Sequence, residues 1–194
     1  MVLSACAVAA DSRRVIVAFG DSLTAGFGAD PGKSYPDFLQ KELDRRGLAY
    51  RVVNAGISGE TTTDALARLS TVTALRPLVV IVEFGGNDGL RGLPVSTTRS
   101  NLDQIVVGLK ASGAAVLLAG MTLPPNYGPD YIGAFQRVYS DLAAKRKVAL
   151  IPFLLEGVAG TGLMQRDGLH PTAEGNRVVA GTVMRYLRPL LRAR

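Results

Sequence analysis

The stretch VIVAFGDSLTAG, residues 15–26, joins an apolar run to a polar turn bounded by glycines. Its first five residues are typical of a strand buried on both faces. Comparable runs recur further along the chain, at 50–53, 78–83, 115–119 and 148–151. Because amphipathic helical segments separate these runs, we expect an α/β fold, a single three-layer α/β/α domain with a five-stranded parallel sheet. A strand order like that of flavodoxin is the natural expectation.

Helix signals fill the gaps between the strands. Ser34 and Asp37 have the spacing of a capping pair, and Gly47 suits the end of the helix that they begin. Pro171 suits the first turn of a last helix that ends near Leu187. The other predicted helices are 61–75 as one helix, a third marked by apolar residues between 102 and 109, and a fourth marked between 131 and 142.

Composition and charge exclude several classes of protein. Of the 194 residues 47% are apolar, so intrinsic disorder is excluded. Cys6 is the only cysteine, which excludes an intramolecular disulfide and multi-cysteine metal sites, and His170 is the only histidine. The net charge of +6 is spread along the chain and is typical of solvated helix faces. We therefore expect no nucleic-acid partner and no stable protein partner, with weak attraction to a membrane surface as the alternative.

The first residues, MVLSACAVAA, resemble the end of a secretory signal. We assign residues 1–12 to an apolar N-terminal segment and 13–194 to the folded domain. The residues before Cys6 are similar to a bacterial lipobox, which predicts lipidation at that cysteine, while Ala7 to Ala9 fit an ordinary cleavage site. The expected location is the periplasm or envelope of a bacterium. The alternative is a cytoplasmic protein whose short apolar start packs on the domain.

Four polar, glycine-rich clusters follow predicted strands. They are GDSLTAG (20–26), NAGISGET (54–61), GGND (85–88) and, after a long loop, DGLH (167–170). Ligands of open parallel sheets bind at the carboxyl ends of the strands, so we expect the four clusters to converge on one rim.

These clusters resemble the four signature blocks of the SGNH hydrolases, the GDSL esterase and lipase superfamily. NAGISGETT, VEFGGNDGLRG and LPPNYG further resemble its bacterial branch of multifunctional acyl-CoA thioesterases, lysophospholipases and arylesterases. The similarity runs from about residue 15 to residue 187. It implies ester hydrolysis without a metal or other cofactor.

Ester or thioester hydrolysis needs a nucleophile, a base and donors for the oxyanion. Ser22 is the predicted nucleophile and His170 its base, with Asp167 fixing the imidazole tautomer. The predicted oxyanion donors are the backbone N–H of Ser22, the backbone N–H of Gly59 and the amide of Asn87. The register of the family block selects Gly59, and Gly56 is the alternative. We interpret Asp21 and Asp88 as residues that support the turns, with a positioning role for Asp21 left open.

The substrate pocket is predicted from the loops that follow strands. Its candidate residues supply apolar and aromatic surface for an acyl or aryl group: Leu90, Leu93, Met121, Tyr127 and Met164. The expected partner is a small ester or thioester, such as an aryl ester, a short-to-medium acyl ester, a lysophospholipid or an acyl-CoA. A carbohydrate O-acetyl esterase and a non-catalytic binding module on the same fold are the alternatives.

Overall fold

The sheet in the computed structural model has five parallel strands in the order β2-β1-β3-β4-β5. The structure describes residues 12–192. The predicted class, a single α/β domain with a flavodoxin-like strand order, is confirmed. The strands are β1 (Arg14–Gly20), β2 (Tyr50–Gly56), β3 (Val79–Glu83), β4 (Ala115–Ala119) and β5 (Ala149–Ile151).

Two helical layers cover the sheet. Helices α2 and α8 pack against each other in one layer, and α3, α6 and α7 form the other. The predicted capping pair is present, because Ser34 and Asp37 exchange side-chain and backbone hydrogen bonds at the start of α2. The helices are α1 (Ser22–Ala25), α2 (Tyr35–Arg45), α3 (Thr62–Ala67), α4 (Leu69–Thr73), α5 (Gly86–Leu90), α6 (Val95–Ala111), α7 (Pro129–Arg146) and α8 (Ala173–Arg192).

The register of the central strands brings three of the predicted clusters to one edge. Gly20 at the end of β1 pairs with Gly56 of β2 on one side and with Glu83 of β3 on the other. All five residues of β3 are buried, as the apolar run predicts for a central strand. The three loops that follow these strands therefore begin at the same level of the sheet.

Two predicted helices differ from the structure. The segment predicted as one helix over 61–75 is divided at Arg68, whose backbone (φ −108°, ψ 16°) leaves the helical range. Pro171 is not in the first turn of the last helix. It forms an isolated bridge with Met164, and Thr172 caps α8 instead by accepting the Gly175 N–H at 3.2 Å. Within residues 12–192, no helix has both the length and the apolar character that a bilayer span requires.

Candidate active site

Ser22 lies in the first turn after β1, at the start of the one-turn helix α1. The side chain of Asp21 caps this helix by accepting the Leu23 N–H at 3.1 Å. Gly26 ends the helix in the left-handed region (φ 80°), which glycine adopts without strain. Within residues 12–192, no group accepts a hydrogen bond from the Ser22 N–H. The turn therefore presents a hydroxyl and an unused N–H on the same side of the sheet.

His170 joins Ser22 and Asp167 in one hydrogen-bonded chain. Its Nε2 lies 2.9 Å from Ser22 Oγ, and its Nδ1 lies 2.6 Å from Asp167 Oδ2. The other carboxylate oxygen, Oδ1, accepts the backbone N–H groups of Leu169 and His170 at 2.9 and 3.0 Å. Partial burial acts to raise the pKa of Asp167, but the hydrogen bonds from His170 and the backbone outweigh it and lower that pKa to about 2. The carboxylate is therefore ionised at neutral pH.

The loop that carries His170 is tied to the loop that follows Ser22. Gln165 donates its side-chain amide to the carbonyls of Phe27 at 2.7 Å and Pro171 at 2.9 Å, and its backbone N–H donates to the His170 carbonyl. The Phe27 ring lies against the imidazole with 4.7 Å between centroids, although half of this side chain is exposed. Sequence reasoning missed both residues, because the contacts of Phe27 with Gln165 and His170 join loops that are more than a hundred positions apart in the chain.

The structure places Gly59, and not its alternative Gly56, at the cavity beside Ser22. Gly59 lines the cavity beside Ser22 and has a positive φ of 84°, and its N–H has no acceptor among the described residues. Gly56 instead packs on the backbone of α1, where a Cβ would collide with the Ala25 nitrogen. Arg91 donates to the Gly59 carbonyl at 2.7 Å and so links the loop after β3 to the loop after β2.

Asn87 also reaches the cavity, but both protons of its amide are engaged. Its Nδ2 lies 3.1 Å from Asp21 Oδ2 and 2.9 Å from the Glu60 carbonyl oxygen. An amide nitrogen carries two protons, so donation to an oxyanion requires that one of these bonds be shared or released. The position agrees with the predicted role, and the hydrogen bonds make Asn87 the link between the loops after β1 and β2.

Asp88, the neighbour of Asn87, is fully buried and faces away from the cavity. It accepts the Thr62 N–H at 2.9 Å and the Thr98 hydroxyl at 3.2 Å. These bonds fasten the start of α3 to α6, which agrees with the interpretation of Asp88 as a supporting residue.

A cavity of about 650 Å³ opens beside Ser22 and His170. Three predicted pocket residues line it, namely Leu90, Met121 and Met164. Leu93 and Tyr127 do not line it; the Tyr127 hydroxyl donates to the Leu90 carbonyl at 2.7 Å, and the Leu93 carbonyl accepts the Tyr131 hydroxyl at 2.9 Å. Much of the remaining apolar lining comes from Leu23, Phe27, Leu123, Pro124, Pro125, Phe153, Leu155, Ala159 and Leu169.

Serine, imidazole and carboxylate in a hydrogen-bonded chain form the arrangement that serine hydrolases use on several unrelated folds, and here it lies at the strand ends of a parallel α/β/α sandwich. Residues 18–178 match the GDSL-like Lipase/Acylhydrolase family, and the chain belongs to that family. The predicted membership of the SGNH hydrolases is thus confirmed, together with the prediction of an ester-hydrolysing enzyme.

Named relatives agree with this assignment. Esterase TesA of Pseudomonas aeruginosa is 47% identical over 180 residues, which cover 92% of this chain and 90% of that protein. Thioesterase 1/protease 1/lysophospholipase L1 of Escherichia coli K12 is 38% identical over 193 residues, which cover 98% and 90%. A crystal structure of TesA matches with a TM-score of 0.88 at 46% identity and covers 91% of this chain and 99% of that one.

Proposed function

We propose that the chain is a serine esterase that cleaves carboxylic esters and thioesters through an acyl-enzyme on Ser22. One observation carries the proposal: the imidazole of His170 bridges the Ser22 hydroxyl and the Asp167 carboxylate at the mouth of an apolar cavity. Nothing in a non-catalytic binding module requires that chain of hydrogen bonds, whereas nucleophilic attack by a hydroxyl does.

The first step is the attack of the nucleophile on the acyl carbon. Ser22 Oγ bonds to the acyl carbon while its proton passes to Nε2 of His170, and Asp167 stabilises the imidazolium that results. The negative charge collects on the carbonyl oxygen, where the free N–H groups of Ser22 and Gly59 can donate to it. Asn87 becomes a third donor when one of its amide protons leaves the Glu60 carbonyl.

The tetrahedral intermediate then collapses to the acyl-enzyme, and hydrolysis of the acyl-enzyme restores Ser22. The bond from the acyl carbon to the leaving oxygen or sulfur breaks, and Nε2 of His170 gives its proton to the departing alcohol or thiol. Water then gives a proton to the same nitrogen as it attacks the acyl-enzyme. The carboxylic acid leaves, and the proton returns to Ser22.

The cavity favours acyl or aryl groups larger than acetyl. Its lining is mainly aliphatic and aromatic, with Met121, Phe153 and Met164 among the contributors. An acetyl group would leave most of about 650 Å³ unfilled, and apolar binding energy grows with the area removed from water. Aryl esters, medium-chain acyl esters, lysophospholipids and acyl-CoA therefore fit better than acetylated carbohydrate.

Replacement of the nucleophile and its base tests the mechanism. Ser22→Ala and His170→Ala should each lower kcat by about 10⁴-fold or more, because the two side chains act as a unit. Ser58→Ala is the matched control, since Ser58 lines the same cavity but contacts neither side chain of the pair. Near-native turnover in either of the first two variants would rule out the mechanism.

Two further measurements separate the alternatives. A radiolabelled alkyl phosphonate should modify the native chain at Ser22 and leave Ser22→Ala unlabelled, whereas a binding module would not be labelled. Nitrophenyl esters and acyl-CoAs of graded chain length should give a maximum of kcat/KM above acetyl. A maximum at acetyl would instead support the O-acetyl esterase.

A further inference from the structure

Glu83 is a buried carboxyl for which the proposed reaction has no use. It ends β3, the most buried strand of the sheet, and its side chain is 0% exposed. Burying a carboxyl is unfavourable unless its oxygens are hydrogen-bonded or the group is neutral. The contacts of this residue therefore need an explanation.

The contacts of Glu83 fall on both sides of the nucleophile. Its Oε2 accepts the backbone N–H of Asp21 at 3.2 Å and the hydroxyl of Thr24 at 2.8 Å. These two residues flank Ser22 in the chain. The carboxyl also approaches the β1 backbone so closely that a Cβ at Gly20 would collide with it, which explains the glycine at that position.

A second buried carboxyl, that of Asp21, belongs to the residue whose backbone N–H Glu83 accepts. Burial raises the pKa of both groups, to about 6 for Asp21 and well above its ordinary value for Glu83, where the charge of Asp21 adds to the effect. Glu83 Oε1 has no hydrogen-bond partner among the described residues, so the hydrogen bonds that this carboxyl accepts from Asp21 and Thr24 are both made by Oε2.

Asp21 connects Glu83 to Asn87, the proposed oxyanion donor. Its Oδ1 accepts the Leu23 N–H, and its Oδ2 accepts the Asn87 amide. The Glu83 and Asp21 carboxyls thus contact the backbone on both sides of Ser22 and the side chain of Asn87. A change in the position of Glu83 reaches the nucleophile and the amide together.

We propose, on the basis of the proposed nucleophilic role of Ser22, that Glu83 is a positioning residue. Its carboxyl fixes the nucleophile turn through the Asp21 N–H and the Thr24 hydroxyl and, through Asp21, the amide of Asn87. Its effect is on geometry in the transition state rather than on substrate binding. Loss of its hydrogen bonds therefore lowers kcat and leaves KM in place.

Two substitutions test this role. Glu83→Gln keeps an acceptor for both hydrogen bonds, from the Asp21 N–H and from the Thr24 hydroxyl, so kcat should stay within about fivefold of native. Glu83→Leu removes both, and kcat should fall about a hundredfold with KM nearly unchanged, as expected for a small misplacement of the reacting groups. The rate of phosphonate labelling at Ser22 should fall in parallel.

A control separates positioning from lost stability. Leu109→Ala removes buried side-chain volume from α6 near the opposite end of the sheet, and it should lower Tm without changing kcat. The proposal is overturned if folded Glu83→Leu keeps kcat within about threefold of native, or if Glu83→Gln loses as much as Glu83→Leu.

If Glu83→Leu does not fold, Thr24→Val decides the matter. It removes one of the two donors to Glu83 Oε2, and kcat should fall about tenfold at constant KM. An unchanged kcat in Thr24→Val overturns the proposal. If Ser22→Ala keeps turnover, the proposed function itself fails. If Ser22→Ala is inactive and the Glu83 variants resemble the native enzyme, only the positioning role fails.

Discussion

At the scale of the residue, Asn87, a proposed oxyanion donor, is held in place before substrate arrives. Its two amide protons are directed at Asp21 Oδ2 and at the Glu60 carbonyl, so the side chain cannot rotate freely. A donor fixed in advance does not have to be reoriented during the reaction. The cost is that the oxyanion competes with a bond that is already present.

Asn87→Ala should lower kcat by about 10²–10³-fold with little change in KM, because the lost bond forms mainly in the transition state. Steady-state kinetics on a nitrophenyl ester give both constants. Asn101→Ala is a suitable control, since that asparagine donates to Thr62 and Thr63, none of the three lining the cavity. A decrease in kcat of less than about tenfold would show that the two backbone N–H groups suffice.

The sequence predicts Ser22, His170 and Asp167 because each lies in a short motif that can be recognised without knowledge of the fold. Glu83 had a readable signal, since it is a charged residue at the end of a strand predicted to be buried. Phe27 had none: it follows the nucleophile block, and its contact with His170 depends on a loop 143 positions later in the chain (170 − 27).

At the scale of the element, Arg68 explains why one predicted helix is two. Its guanidinium pairs with Glu60 and donates to the carbonyls of Gly20 at 3.3 Å and Ala55 at 2.9 Å, near the ends of β1 and β2. It also lies over the Phe19 ring at 4.6 Å. The spacing of apolar residues correctly predicts helix on both sides of Arg68. It contains no information about the contacts of Arg68 with the ends of β1 and β2, which lie far away in the chain.

Arg68→Ala should destabilise the fold by about 2–4 kcal/mol, because it leaves a partly buried Glu60 carboxylate without its partner. Arg68→Lys should recover only a small part, since an ammonium cannot reproduce the planar fork. Urea unfolding measures both. Arg99→Ala is the control: its ion pair with Asp141 is exposed, and a loss below about 1 kcal/mol is expected. Equal losses at the two positions would contradict this account.

At the scale of the whole molecule, the Asp21 and Glu83 carboxyls link folding to pH. Their pKa values are raised by burial, so the folded state holds protons that the unfolded chain releases above about pH 4. The stability from these protons is full below that pH and is lost as pH rises through the folded values, to about 6 for Asp21. The charge of His170 acts in the opposite direction on Asp21 and lowers its pKa, while burial and the two carboxyls raise the pKa of Tyr35 and Tyr139.

We therefore expect the Tm of Glu83→Gln to rise relative to the Tm of the native protein as the pH is raised from 4 to 7. The amide does not titrate, so the variant escapes the loss of stability that the raised pKa of Glu83 imposes on the native protein as pH rises. Scanning calorimetry in matched buffers gives the comparison. A difference that is constant across this range would mean that the pair does not change its protonation on folding.

The N-terminal predictions concern residues that lie outside those described, so the lipidation of Cys6 and the export of the chain remain predictions. If the lipobox directs lipidation, radiolabelled palmitate should be incorporated into the native protein in a bacterial host and should not be incorporated into Cys6→Ser. Cell fractionation then reports membrane attachment. Native protein that carries no label but appears in the periplasm would favour cleavage near Ala9, and protein that stays in the cytoplasm would contradict export.

The hydrogen bond between Ser22 and His170 joins residues that are 148 positions apart. A chain synthesised from its N-terminus exposes the nucleophile turn long before its base has been made. Helix α8 follows that loop in the chain and packs against α2. On the proposed mechanism, a growing chain has no esterase activity before His170 has been made and has reached Ser22, so activity appears only near the end of synthesis.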